Sequence, residues 1–384
     1  MQVSYRTFRT AAAAFLLVAL TGLSLTSRVL AEAPEHAPSM ATDGDGAHLF
    51  SASPADQGTA GNRAGVLFNR NFKSSEIKLA QGDAETRTAD LKNDLIAVSG
   101  LADLGAGTAA GITAARDWIE MNSQSTNGSV RPRELFQTQT VTGRILIDLT
   151  PQVRAGLSIR QQSQESLVVG GFNNQESIVY RGSLVGYGAG AAARLGPKFG
   201  VGAQWVPAMR GKATIIGEQR LLAEPGRAGV SAWHGDDAQR FGVMWQRWVH
   251  KRDDRADNTS TGGENNRQVI LEGMDFDNFL YPVWALGVGL DHRIRPNLGL
   301  RAHAGRETAE FIFNTDQVPG ENPDGQRLDY WRLRGAVKLI NPGFALELGL
   351  GFWQRSLSLS AGSGPRGEYK ASGRELWLVF GGAI

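Results

Sequence analysis

The feature that most constrains this chain is a two-residue alternation of apolar and polar side chains, sustained over stretches of about nine to eleven residues. Such a period places successive side chains on opposite faces of an extended strand. Phe344, Leu346, Leu348, Leu350 and Phe352 share one face, while Ala345, Glu347, Gly349, Gly351, Trp353 and Arg355 share the other. Trp331, Leu333, Val337 and Leu339 oppose Tyr330, Arg332, Arg334 and Lys338. Leu298, Leu300, Ala302 and Ala304 oppose Gly299, Arg301, His303 and Glu307. The same holds for Val153, Ala155, Leu157 and Ile159 against Arg154, Gly156, Ser158 and Arg160, and for Val141, Ile145, Ile147 and Leu149 against Thr142, Arg144 and Asp148. A soluble β-sandwich also alternates. Here, however, the apolar faces have the length a tilted strand needs to cross hydrocarbon, and the polar faces are rich in glycine and arginine.

The connections support the same reading. Short turns fall at Thr150-Pro151-Gln152, Leu195-Gly196-Pro197, His234 to Ala238, Arg295-Pro296-Asn297 and Asn341-Pro342-Gly343, with the residue types that tight reversals require. Polar loops at about 122–133, 168–177, 217–226, 252–266, 314–326 and 361–367 alternate with them. Short turns at one rim and longer loops at the other mark a membrane-spanning, antiparallel up-and-down β-barrel. Counting between connections over 107–384 gives about twelve strands. If 64–72 and 88–100 also pair, the count becomes fourteen.

No run after the N-terminal segment approaches the eighteen or so apolar residues that a membrane-crossing helix needs. The formal charge of +2 and the lack of any basic block argue against a nucleic-acid partner, and the absence of cysteine excludes disulfides and thiolate metal sites. Arg6 and Arg9, the apolar run Ala11 to Leu25 and Val29-Leu30-Ala31 predict a cleaved signal peptide over 1–31. Residues 32–62, rich in Ala, Pro, Ser, Asp and Gly, read as a flexible periplasmic leader. Residues 63–106 read as a linker, a plug inside the lumen, or an extra hairpin.

Trp205, Trp245, Trp284, Trp331 and Trp377 are expected in interfacial aromatic belts. The last strand, Leu376-Trp377-Leu378-Val379-Phe380, resembles the C-terminal recognition strand of outer-membrane proteins, although the chain ends in Ile384 rather than an aromatic. Over 107–384 the sequence therefore resembles bacterial outer-membrane β-barrel proteins as a class. Two subfamilies share features with it. The plug-bearing fatty-acid transporters share a segment before the barrel, and the twelve-stranded channels for acidic oligosaccharides share an arginine-lined interior. The resemblance implies a location in the bacterial outer membrane. The implied partners are outer-membrane lipid and lipopolysaccharide, the barrel-assembly machinery and a small-molecule solute. It implies no cofactor.

The alternation turns Arg144, Arg154, Arg160, Arg293, Arg301, Arg332, Arg334, Lys338 and Arg355 toward the lumen, against Asp148, Asp291, Glu307 and Glu347. That excess would concentrate anions. The leading expectation is a channel or transporter for passive uptake of small solutes, with a preference for anions. One alternative is a plugged transporter for hydrophobic compounds such as fatty acids. Another is a structural barrel or a surface lipid-acting enzyme, in which the arginines form a paired ladder. Catalytic signals are weak: the spacing Gly362, Gly364, Gly367 is broken by Pro365, and Asp275 and Asp277 lack the rest of a calcium loop. His250 beside Asp253 and Asp254, and His303 beside Glu307, have no evident nucleophile.

Overall fold

In the hydrocarbon of a membrane every backbone N–H and C=O must find a partner within the protein, so strands can cross only as a closed ring. The computed structural model shows that ring. It describes residues 62–79, 85–125, 133–169, 177–215, 218–235, 238–249, 280–311, 326–341, 344–359 and 367–383. The elements are β1 (Arg63–Leu79), β2 (Glu85–Gly105), β3 (Thr108–Ser125), β4 (Arg133–Thr150), β5 (Val153–Val169), β6 (Ser177–Arg194), β7 (Phe199–Val206) and β8 (Met209–Ile215). They continue with β9 (Glu218–Glu224), β10 (Gly226–Gly235), β11 (Gln239–Val249), β12 (Leu280–Arg295), β13 (Leu298–Phe311), β14 (Gln326–Asn341), β15 (Phe344–Leu359) and β16 (Gly367–Ala383).

Every pairing is antiparallel, and the ring closes where β1 meets β16 from Arg63↔Ala383 to Leu79↔Gly367. Fourteen strands make the circuit, with β7 handing on to β10, and the β8–β9 hairpin continues those two strands beyond Pro207 and Pro225. Pro207 has no N–H to give the ladder, and a proline inside a strand is tolerated at an interruption such as this one. β8 joins the upper part of β6 with one residue more than β6 supplies: Ala189 pairs with Trp205, but Val185 pairs with Arg210. That surplus is a bulge.

The count of about twelve strands is thus corrected to fourteen, because 63–79 and 85–105 stand in the wall as β1 and β2. Their alternation is hard to read because Arg70, Lys92 and Asp94 occupy outward positions among Phe68, Phe72 and Ile96. Residues 218–224, read as loop, form β9. The signal peptide and nearly all of the leader lie outside the described residues, as do His250, Asp253, Asp254, Asp275 and Asp277.

The faces follow the alternation. Leu348, Leu350 and Phe352 are exposed on the outside, whereas Glu347, Gly349, Gly351 and Trp353 are buried inside. Around the ring, Ile145, Leu157, Tyr187, Val230, Phe241, Leu300 and Phe380 extend the exposed apolar band. Trp205, Trp245 and Trp331 belong to it, with Trp331 59% exposed. Trp377 does not. It is only 4% exposed on the interior face, where its indole Nε1 donates to Glu347 Oε1 at 3.0 Å.

Gly349 is an inward position with no room for a side chain. Gly349 pairs with Trp377, and a Cβ there would fall well inside van der Waals contact of the indole. Trp353 covers Gly373 in the same way on the same pair of strands. Gly349→Ala should therefore destabilise the barrel in urea titrations of vesicle-folded protein, by about 1–3 kcal/mol as overpacking does. In a Trp377→Ala background most of that cost should vanish; equal costs in the two backgrounds would contradict the packing.

Candidate functional site: the charged and aromatic lumen wall

The interior faces of β12 to β16 carry a ladder of ion pairs that climbs from the rim holding the chain ends toward the other rim. At its foot, Arg301 on β13 donates to Asp291 Oδ2 on β12 at 3.0 Å and reaches Glu347 Oε2 on β15 at 2.8 Å. The reach to β15 passes over Ala336, the β14 partner of Arg301, whose small side chain leaves room for the guanidinium. Glu347 also accepts the Trp377 indole N–H, so both of its oxygens are engaged.

One step up, Arg334 on β14 spans β15 to reach Glu375 on β16. Its Nε and Nη2 both donate to the carboxylate, the second at 2.9 Å. The residue it crosses is Gly351, which pairs with both Arg334 and Glu375, and a side chain there would collide with Glu375. The glycine is what permits a two-strand reach. Above it, Arg332 Nη1 lies 3.2 Å from Glu307 Oε1, and the Tyr330 hydroxyl donates to Glu307 Oε2. On the outward face of the same strands, near the far rim, Arg327 Nε donates to Glu310 Oε1 at 2.9 Å, so that pair lies outside the lumen ladder.

Between these levels sits an aromatic cluster. The Arg355 guanidinium stands 4.8 Å from the Trp353 ring centroid, 5.4 Å from Tyr330 and 5.7 Å from Tyr369, and its Nη2 donates to the Tyr369 hydroxyl at 3.1 Å. Such cation–π contacts favour a guanidinium held among rings. Trp377 joins Leu67, Leu95, Ala97, Ala115 and Ala336 in an apolar cluster that links β16 to β1, β2, β3 and β14. Asn69, Asn71 and Asn93 face inward beside it, with side-chain oxygens that have no hydrogen-bond partner among the described residues.

The remaining basic candidates are dispersed. Arg144 on β4 is buried and donates to Thr113 Oγ1 at 2.7 Å. Arg154 Nε pairs with Asp148 Oδ1 at 2.7 Å, and Arg160 donates to Gln162 Oε1. Lys338 pairs in register with Glu347, and Arg293 is exposed beside the β12–β13 turn. Of the nine residues the alternation turned inward, the structure brings Arg301, Arg332, Arg334, Lys338 and Arg355 into one continuous wall, leaves Arg293 exposed at its foot, and sets the other three on β4 and β5. His303 is not engaged by Glu307, whose oxygens serve Arg332 and Tyr330.

Reading by alternation missed Glu375, the acid that holds Arg334, along with Tyr369 and the inward position of Trp377. The signal was present: Leu376, Leu378 and Phe380 fix the outward face of β16 and leave Tyr369, Gly373, Glu375 and Trp377 on the other.

A closed antiparallel ring with an exposed apolar band defines the class as an outer-membrane β-barrel, whose place is the bacterial outer membrane. Neither a protein-family model nor a curated protein matches the sequence. Among solved structures, a Pseudomonas aeruginosa FadL homologue has a TM-score of 0.57 at 12% identity, over 88% of this chain and 94% of that one. The P. putida toluene transporter TodX has 0.54 at 12%, over 87% and 93%. The Ralstonia pickettii toluene transporter TbuX has 0.53 at 12%, over 88% and 93%. At these identities the likeness is one of fold.

Removing one partner of a buried pair strands the other charge, at a cost of about 3–5 kcal/mol. Glu375→Ala should lose stability on that scale in urea titrations, and Arg334→Met with Glu375→Leu should recover most of it. Arg181→Ala, which breaks the exposed pair with Glu165, should cost about 1 kcal/mol or less. Similar losses for both single substitutions would show that the lumen pair is solvated.

Proposed function

We propose that this barrel is an outer-membrane conduit for small hydrophobic compounds, with monoaromatic molecules as the size class. The observation that carries the choice is the state of the lumen charges. Arg301, Arg332, Arg334 and Arg154 are each held by a carboxylate, and Arg355 is stacked among three aromatic rings. A charge neutralised in place attracts a passing anion weakly, so the arginine count alone no longer favours anions. Tyr330, Trp353, Tyr369 and Trp377 are packed into the same wall, which makes its framework aromatic as well as charged.

The structural neighbours support this reading, since two of them are described as toluene transporters and others as monoaromatic hydrocarbon channels. It replaces the anion-preferring channel as the leading reading. Residues 63–79 and 85–105 have no part in it as a hatch, because they are strands of the wall.

Cells expressing the full chain should take up radiolabelled toluene faster than cells without it, because lipopolysaccharide slows the direct crossing of hydrophobic solutes. Trp353→Ala should reduce that uptake while leaving heat-modifiable gel mobility, and thus folding, unchanged. Unchanged toluene uptake together with faster uptake of a small organic anion would reject the proposal.

A further inference from the structure

We propose that the inward wall of β11, β12 and β13 holds a binding subsite for a monocyclic phenol, with the ring lying on the backbone at Gly287 and the hydroxyl taken up by Gln246 or His303. The subsite rests on the conduit reading and narrows its guest from bare hydrocarbons to ring compounds that carry a hydroxyl.

Four adjoining interior positions have no side chain. Gly242 on β11 pairs with Gly289 on β12, and one row further from the chain ends Gly287 on β12 pairs with Gly305 on β13. The row beneath them is Arg240, Asp291 and Arg301, the foot of the ion-pair ladder. Met244, half-buried, pairs with Gly287 and bounds the bare stretch on β11. Trp233, the β10 partner of Gly242, lies over Gly200 on its other side. His303 leans along β13, with its Cε1 3.1 Å from where a Cβ of Gly305 would stand. Glycine inside a strand weakens it and marks a place where another group approaches the backbone.

Two polar side chains flank this stretch at opposite corners. Gln246, one row above Met244, is 2% exposed, and its Nε2 has no hydrogen-bond partner among the described residues. Neither ring nitrogen of His303 has one. Their neighbours explain why. Gln246 stands between Ala285 and Gly229, which have no polar side-chain atom to offer. His303 stands between Gly289 and Arg334, and the Arg334 guanidinium is taken by Glu375. Glu307, on the same face of β13, is engaged by Arg332 and Tyr330. Two strand spacings and four residues of rise put the Cα atoms of Gln246 and His303 roughly 16 Å apart, too far for the side chains to bond each other. Gly287 lies midway on that diagonal.

The chemistry of these pieces selects the guest. Bare backbone receives a flat ring face-on, and the Met244 thioether favours an aromatic one. A buried amide N–H without a partner calls for an acceptor, and an imidazole calls for a donor and an acceptor. A phenolic hydroxyl is both. A carboxylate is disfavoured, because Arg332 and Arg334 are already paired and its charge would be buried without compensation.

The test is equilibrium dialysis of the purified full chain in detergent, against protein-free micelles, with toluene and p-cresol, which differ by one hydroxyl. Wild type should bind p-cresol on the order of tenfold more tightly than toluene, as partnering a buried polar group implies. Gln246→Met and His303→Phe should each reduce that ratio, and the double variant should bring it close to unity. Gly287→Val should weaken both guests together. Heat-modifiable mobility confirms that each variant is folded. Equal affinity of wild type for the two compounds, a ratio that survives the double variant, or tighter binding of benzoate than of p-cresol would overturn the proposal. A p-cresol preference in dialysis without cellular uptake of either compound would uphold the subsite and reject the conduit. Toluene uptake without a p-cresol preference would do the reverse.

Discussion

The constraint on which the rest of this structure depends is the closed backbone ladder. A strand that left its N–H and C=O groups unpaired in hydrocarbon would cost several kcal/mol for each group. The pairing of β1 with β16 over their whole lengths closes the fourteen-strand circuit. Once the ring is closed, the pleat leaves only two environments for a side chain, and each residue is sorted by its position in the alternation. The lipid side takes the leucines, valines and phenylalanines. The interior takes everything that needs a polar partner, and it must pack those side chains across a curved sheet.

That packing explains the glycines. A curved wall brings interior side chains close together, so a large residue lies flat only where its neighbour has no side chain. Trp377 over Gly349 and Trp353 over Gly373 are the clearest cases. The vacancy at Gly351 has a chemical consequence, because it allows Arg334 to cross an intervening strand and reach Glu375. The ion-pair ladder is thus a product of the glycine pattern. Arg301, Arg332 and Arg334 persist in the lumen because each is positioned against a carboxylate, which offsets the cost of taking it out of water. The outer face follows a different logic along β15 to β3, where charged side chains of both signs, such as Arg374, Lys370, Glu76 and Asp90, gather at the rim remote from the chain ends.

Much of the fold was legible in the sequence because a period of two is a direct image of a sheet with unlike faces. β13, β14 and β15 show it with little interruption, and the prolines at 151, 296 and 342 mark their turns or those of their neighbours. β1 and β2 were harder, since Arg70 and Asp94 place an ion pair where the pattern calls for apolar residues. β9 was obscured by the polar start Glu218-Gln219-Arg220. In the lumen, the inward direction of Arg301, Arg332 and Arg334 could be read, but their partners could not. Arg301 reaches Glu347, and Arg334 reaches Glu375, across a strand that sequence spacing does not reveal. Whether an arginine is a free guest-binding group or half of a pair is decided by that long-range register.

The central claim is that Arg301, Arg332 and Arg334 of the lumen wall are neutralised in place, so the conduit has no marked preference for anions. Its most direct measurement is the reversal potential of purified protein in a planar bilayer under a potassium chloride gradient. The paired ladder calls for a wild-type value near zero. It also calls for a shift toward the chloride equilibrium potential in Glu375→Gln, which frees the Arg334 charge. A wild-type reversal potential already close to that of chloride, unchanged by Glu375→Gln, would contradict it.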